Sequence, residues 1–177
     1  MSKLLEGYDR FVKGVTYLAA LLAGICILVT ALIVVYEVIM RGIFRSPTEW
    51  VLEISTYLIL VSALLGLAIT FRMGGHIQVD FLISRLSAKT QCILEIIWSA
   101  MAVVLFCIFV SESTGMVEMS YHYNKLSPSI LRFPLYIPQL ALVIGGLLLL
   151  LEIINKFLLD VNKLMSGSFT STEKEAD

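Results

Sequence analysis

The chain has 177 residues, 58% of them hydrophobic and only 15% charged, and its mean hydropathy is +0.89. Soluble domains are about 45–50% apolar and about 25% charged, so this composition excludes an ordinary soluble enzyme, a disordered chain and a secreted disulfide scaffold. Thirteen basic against 14 acidic residues leave a net charge of −1, which excludes a basic nucleic-acid-binding surface. The chain reads as an integral membrane protein.

Four uncharged runs follow in chain order: 14–36 with 23 residues, 54–71 with 18, 96–111 with 16 and 133–151 with 19. A bilayer core needs about 17–25 residues of helix. The third run reaches that length if Glu95 and Glu112 lie at the membrane interfaces. The first run exceeds a signal-peptide core, with no convincing cleavage site after it, and is expected to be an uncleaved signal-anchor helix. Solid apolar runs exclude the alternation of a β-barrel.

Punctuation sets the expected ends. Glu37 and Arg41 are spaced i,i+4 with the acid first, which extends the first helix to about Ile43. Ser46-Pro47-Thr48-Glu49 reads as an N-cap serine, a first-turn proline and a capping-box glutamate, so the second helix is expected to begin at Pro47. Gly74-Gly75 ends it. Residues 77–86 mix apolar and polar side chains and predict a short amphipathic helix on the membrane surface, with Asp80 as its possible N-cap. Ser87 can cap the third helix. Pro134 suits a first turn, whereas Pro138 is expected to weaken the start of the fourth helix.

The expected fold is therefore all-α and integral to the membrane. Four long tilted transmembrane helices (about 14–43, 47–72, 88–119 and 134–160) and the amphipathic cytoplasmic segment form one domain over residues 1–165. Residues 166–177 make a small, polar tail expected to be disordered. Nine basic residues fall on the side of the termini and four on the other, which predicts cytoplasmic termini.

The chemistry is sparse. Cys26, Cys92 and Cys107 form no CxxC pair, and His76 and His122 fall on opposite sides, so no thiol redox centre, haem site or metal site is expected. No ionisable residue lies near the expected span centres, so this chain by itself is not expected to move an ion. Catalytic and cofactor residues are expected to be none. Polarity collects at the membrane edges instead: Glu37, Arg41, Arg45, Glu53 and Arg132 on one side, Arg72, His76 and Asp80 on the other. These are candidates for ion pairs between helices or for partner contact, with Glu53 expected to meet Arg41 or Arg45. Trp50, Tyr121, Tyr123 and Tyr136 are expected to form an interfacial aromatic belt. Small-xxx-small pairs at Ala20/Gly24, Ser62/Gly66, Ser111/Gly115 and Ala141/Gly145 permit close helix approach.

With these residues in view, the chain resembles the small membrane subunit (the Q-type small permease) of tripartite ATP-independent periplasmic (TRAP) transporters. The likeness rests on Tyr36-Glu37-Val38-Ile39-Met40-Arg41, then Ser46-Pro47-Thr48-Glu49-Trp50-Val51-Leu52-Glu53 with Tyr57, then Gly66 and Arg72-Met73-Gly74-Gly75-His76-Ile77-Gln78-Val79-Asp80. A weaker part runs from Ser127-Pro128 to Arg132-Phe133-Pro134. The family often has two adjacent acids after the tryptophan; here Leu52 replaces the first. The resemblance implies a multi-pass bacterial inner-membrane protein that is not an enzyme. It implies two protein partners, a large membrane subunit and a periplasmic solute-binding protein. It also implies uptake of a carboxylated solute, sialic acid or a C4-dicarboxylate, driven by a sodium gradient through the large subunit, whose scaffold this chain braces while assisting assembly or docking of the binding protein. The alternatives read from the residues are a stand-alone small transporter and a membrane redox or enzyme subunit.

Overall fold

The computed structural model of the chain describes residues 2–74 and 88–166. The expected segment 77–86, His76, Asp80, Ser87 and the tail from 167 onward lie outside the described residues. Four helices account for nearly all of the rest: α1 (Ser2–Gly42), α2 (Glu49–Arg72), α3 (Ala88–His122) and α4 (Tyr136–Ser166). Each contains a stretch long and apolar enough to cross a membrane. At 1.5 Å per residue α1 is about 61 Å long and α3 about 52 Å, both far longer than a hydrocarbon core of about 30 Å. The apolar face outward and the internal satisfaction of backbone groups make this a multi-pass membrane fold.

Several helix ends differ from expectation. α1 begins at Ser2 rather than near residue 14, and α4 runs on to Ser166. α2 begins at Glu49, with Thr48 as its extended N-cap residue (φ −104, ψ 119). Ser46 is therefore no cap; its N–H bonds Met40 O at 3.2 Å while Arg45 turns the chain with φ 53. Pro138 does not weaken α4. The helix starts two residues earlier at Tyr136, so Pro138 stands in the first turn, where an N–H has no intrahelical partner to lose.

The helices lie in a row. α1 packs on α2, α2 on α4, and α4 on α3, with a smaller contact between α1 and α4. α4 is the central element, and α3 is an edge whose one substantial neighbour is α4. Up-and-down connectivity brings both termini to one end of the layer and the 43–48 and 123–135 connections to the other.

Small side chains make the seams. α1 buries Val12, Thr16, Ala19 and Ala23 at three- and four-residue steps, with Thr30 seven residues further on, and α3 buries Ser99, Ser113 and Ser120. Lipid tails are as apolar as leucine, so burial of leucine drives no association here; close van der Waals approach does. Many leucines and isoleucines face outward accordingly: Leu21 is 62% exposed and Ile27 60%. Several hydroxyls bond within their own helices, such as Thr30 on Cys26 O (2.7 Å) and Ser62 on Ile59 O (2.8 Å). Of the four expected small-residue pairs, Ala141/Gly145 makes the tightest approach: a Cβ on Gly145 would sit 2.7 Å from Leu64 Cβ. Beside Gly24, Gly66 and Gly115 the space is open. On the next residue, a Cβ on Gly146 would sit 3.0 Å from Phe109 Cδ1 and Val110 Cγ2. Adjacent glycines thus let α4 approach α2 on one side and α3 on the other.

Candidate functional site

Polar side chains gather at the two ends of this layer. At the terminal end, Arg72 closes α2 and points its guanidinium at Asp9 of α1. Nη1 reaches Asp9 Oδ1 at 3.3 Å, and Nη2 bonds both Oδ1 and, at 3.4 Å, the Asp9 carbonyl. Its Nε lies 3.5 Å from Glu152 Oε1 on α4. The Thr16 hydroxyl donates to that same Glu152 oxygen, and Asn155 Nδ2 donates to Asp9 Oδ1 at 2.7 Å. Lys156 lies 5.8 Å from the centre of the Phe71 ring. Glu152 and Asn155 are each only 3% exposed.

One cation therefore holds two carboxylates from two other helices. The planar guanidinium suits this because its donors point in several fixed directions at once, which an ammonium cannot match. Thr16 and Asn155 supply the further hydrogen bonds that a buried charge requires. The result is a clamp across α1, α2 and α4. It offers no nucleophile–base pair, and among the described residues no three His, Cys, Asp or Glu side chains converge as metal ligands.

At the loop end, two glutamates act as acceptors for the connections. Glu37 of α1 receives the Thr48 N–H at 3.1 Å and the Thr48 hydroxyl. An α1 side chain thus does for α2 what a local cap does elsewhere, satisfying an N–H at the helix start. Glu53 receives the Tyr57 hydroxyl at 2.7 Å and the Ser129 hydroxyl. Ser129 N–H bonds Ser127 Oγ at 3.3 Å, and Ser127 N–H bonds Phe133 O at 2.9 Å. Phe133 also packs on Tyr57, ring centres 5.5 Å apart. The 123–135 loop is thereby fastened to α2.

These contacts correct the expected pairings. Glu37 serves Thr48 rather than Arg41, and Glu53 serves Tyr57 and Ser129 rather than Arg41 or Arg45. A carboxylate with about four acceptor positions can hold several N–H and O–H groups, and the loops bring those groups closer than the exposed Arg41 and Arg45. Arg132 is likewise exposed, on a left-handed turn with φ 49. Arg72, at the other end of the layer, is ion-paired with Asp9 and Glu152. The aromatic residues cluster at this end, Trp50 against Tyr36 at 6.1 Å and Tyr121 against Tyr136 at 5.4 Å. Tyr123 stands 5.3 Å from His122.

The sequence reading missed Asp9, Thr16, Glu152 and Asn155. A signal was present: apolar residues resume after Glu152 with Ile153 and Ile154, so the glutamate interrupts a hydrophobic helix rather than ending it. Its partners are 136 or more residues away for Thr16 and Asp9, beyond any local pattern.

Replacing either loop-end acid by alanine should loosen one connection. Glu37→Ala removes the acceptor at the α2 start and is expected to cost about 1 kcal/mol. Limited proteolysis should then cut faster within 43–48, and in Glu53→Ala within 123–135. Unchanged cleavage of both variants would show that the loops are held by something else.

The family described as "Tripartite ATP-independent periplasmic transporters, DctQ component" matches residues 30–163. A Haemophilus influenzae protein named as a TRAP transporter small permease protein is 30% identical over 127 residues, which cover 70% of this chain and 77% of that protein.

Proposed function

Because the chain belongs to the DctQ component family of TRAP transporters, a transport component and not an enzyme, we propose that it serves as a stationary brace for the large membrane subunit of its own tripartite system. The observation that carries this is the layer of four helices, pinned by Arg72 at one end and by Glu37 and Glu53 at the other. A brace needs fixed helix positions and broad outward faces rather than an ion path. The polar clusters supply the first, and the exposed apolar faces supply the second.

In this reading the sodium and solute sites belong to the large subunit, no cofactor resides in this chain, and the periplasmic binding protein docks at the loop end. The excess of basic residues on the terminal side supports cytoplasmic termini in a bacterial inner membrane. The resemblance to the family supports a carboxylated solute of the sialic acid or C4-dicarboxylate type.

The test is copurification from the native host with a tag on this chain in mild detergent. A stoichiometric large membrane protein, together with solute uptake that is lost when this chain is deleted, supports the brace. Recovery of this chain alone, or uptake by this chain reconstituted by itself, overturns it.

A further inference from the structure

The two edges of the helical layer differ in chemistry. At the α1 edge, the residues from 14 to 36 carry no charge, and the exposed positions are apolar, among them Leu18, Leu21, Leu28 and Leu32. That is a surface suited to lipid. At the α3 edge, the stripe facing away from α4 begins apolar, with a shallow groove of about 530 Å³ lined by Ala100, Met101, Val104, Leu105 and Ile108. It then continues through exposed Ser111, Glu112, Gly115 and Glu118.

The packing fixes how deep Glu112 lies. Val110 meets the Gly146 position and Tyr121 meets Tyr136, so α3 and α4 run antiparallel with Glu112 level with Ile144 and Gly145. Gly145 in turn abuts Leu64 of α2. Glu112 therefore stands level with the apolar runs of α4 and α2, and not at the interface where the sequence reading put it. The start of α4 at Tyr136 is eight residues from Ile144, about 12 Å of helix, which a glutamate side chain is too short to span. Among the described residues Glu112 has no hydrogen-bond or ion-pair partner, and the sequence from 90 to 124 contains no lysine or arginine. An ionisable side chain at such depth is costly in lipid and is found facing protein or water.

We propose that the outward face of α3, centred on Glu112, is where the large membrane subunit seats, with a basic or hydrogen-bond-donating side chain of that partner meeting the carboxylate inside the membrane. Gly115, one turn from Ser111, leaves room for a partner helix to approach closely, and the groove beside Val104 and Ile108 accepts its apolar side chains. This assignment rests on the brace reading and adds the face through which the brace acts.

The experiment uses the complex copurified from the native host, in a background where Cys26, Cys92 and Cys107 are replaced by alanine. Single cysteines at Val104 and Gly115 on α3, and at Leu21 and Leu28 on α1, are loaded with a photoactivatable maleimide crosslinker. The α3 positions should crosslink to the large subunit and the α1 positions should not. Glu112→Gln should lower recovery of the large subunit several-fold, Glu112→Asp should restore most of it, and both variants should reach the membrane at wild-type levels. Crosslinks confined to α1, crosslinks to a second copy of this chain, or full recovery with Glu112→Gln overturn the assignment while leaving the brace intact. If the wild-type chain recovers no large subunit, the brace reading fails and this assignment falls with it.

Discussion

Arg72→Ala should lower thermal stability in mild detergent by the largest amount of any single polar substitution in this chain. Removing the guanidinium leaves Asp9 and Glu152 without their shared cation, and Glu152 is 3% exposed. Breaking a buried pair by deleting one partner costs about 3–5 kcal/mol. Asp9 is 39% exposed at the side chain and can regain water, which puts the expected loss nearer about 3 kcal/mol. Arg72→Lys should recover only part of it, because an ammonium cannot reach Asp9 and Glu152 with the separate donors that Nη1, Nη2 and Nε provide. The double variant Arg72→Met with Glu152→Gln should be milder than Arg72→Ala, since it removes charge from both sides of the 3.5 Å contact. Thermal unfolding of the purified chain, followed by loss of monodisperse protein on heating, reads all three. Equal midpoints for wild type and Arg72→Ala would show that the clamp does not hold the helices.

A graded response is expected along the glycines. Gly145→Ala places a Cβ 2.7 Å from Leu64 Cβ and 2.9 Å from Leu64 O. Neither atom can swing aside, so α2 and α4 must separate, at an overpacking cost of about 1–3 kcal/mol. Leu64→Ala should not rescue it, since alanine keeps both offending atoms. Gly146→Ala meets only side-chain atoms of Phe109 and Val110, at 3.0 Å. These can shift by a few tenths of an ångström, and the loss should be smaller. Gly66→Ala and Gly115→Ala meet nothing within 4 Å and should leave stability unchanged or raise it through better helix propensity. Unfolding midpoints ordered otherwise would mean that the α2–α4 contact is not the tight seam of the layer.

Particular residues show where legibility ended. The four spans and the absence of strand alternation were readable because membrane helices satisfy their backbone within each segment, so length and apolarity are local properties. The family was readable too, from runs such as Arg72-Met73-Gly74-Gly75-His76. The polar candidates were partly readable: Glu37, Glu53 and Arg72 were singled out as edge charges. What they touch was not. Glu37 found Thr48, Glu53 found Ser129, and Arg72 found Asp9 and Glu152, because turns at Arg45 and Arg132 and the antiparallel return of the helices bring those groups near.

Sequence alone determined that the chain crosses the membrane four times, where its apolar stretches lie and to which family it belongs. Tertiary structure alone decided the order of helices across the layer, the close approach at Gly145 and the depth of Glu112. The physical reason is the solvent. A helix surrounded by lipid can be apolar on every side, so no hydrophobic stripe marks the face that meets a neighbour. Rotation and register are set by small side chains and scattered polar groups meeting across long separations, and those meetings exist only once the helices are packed.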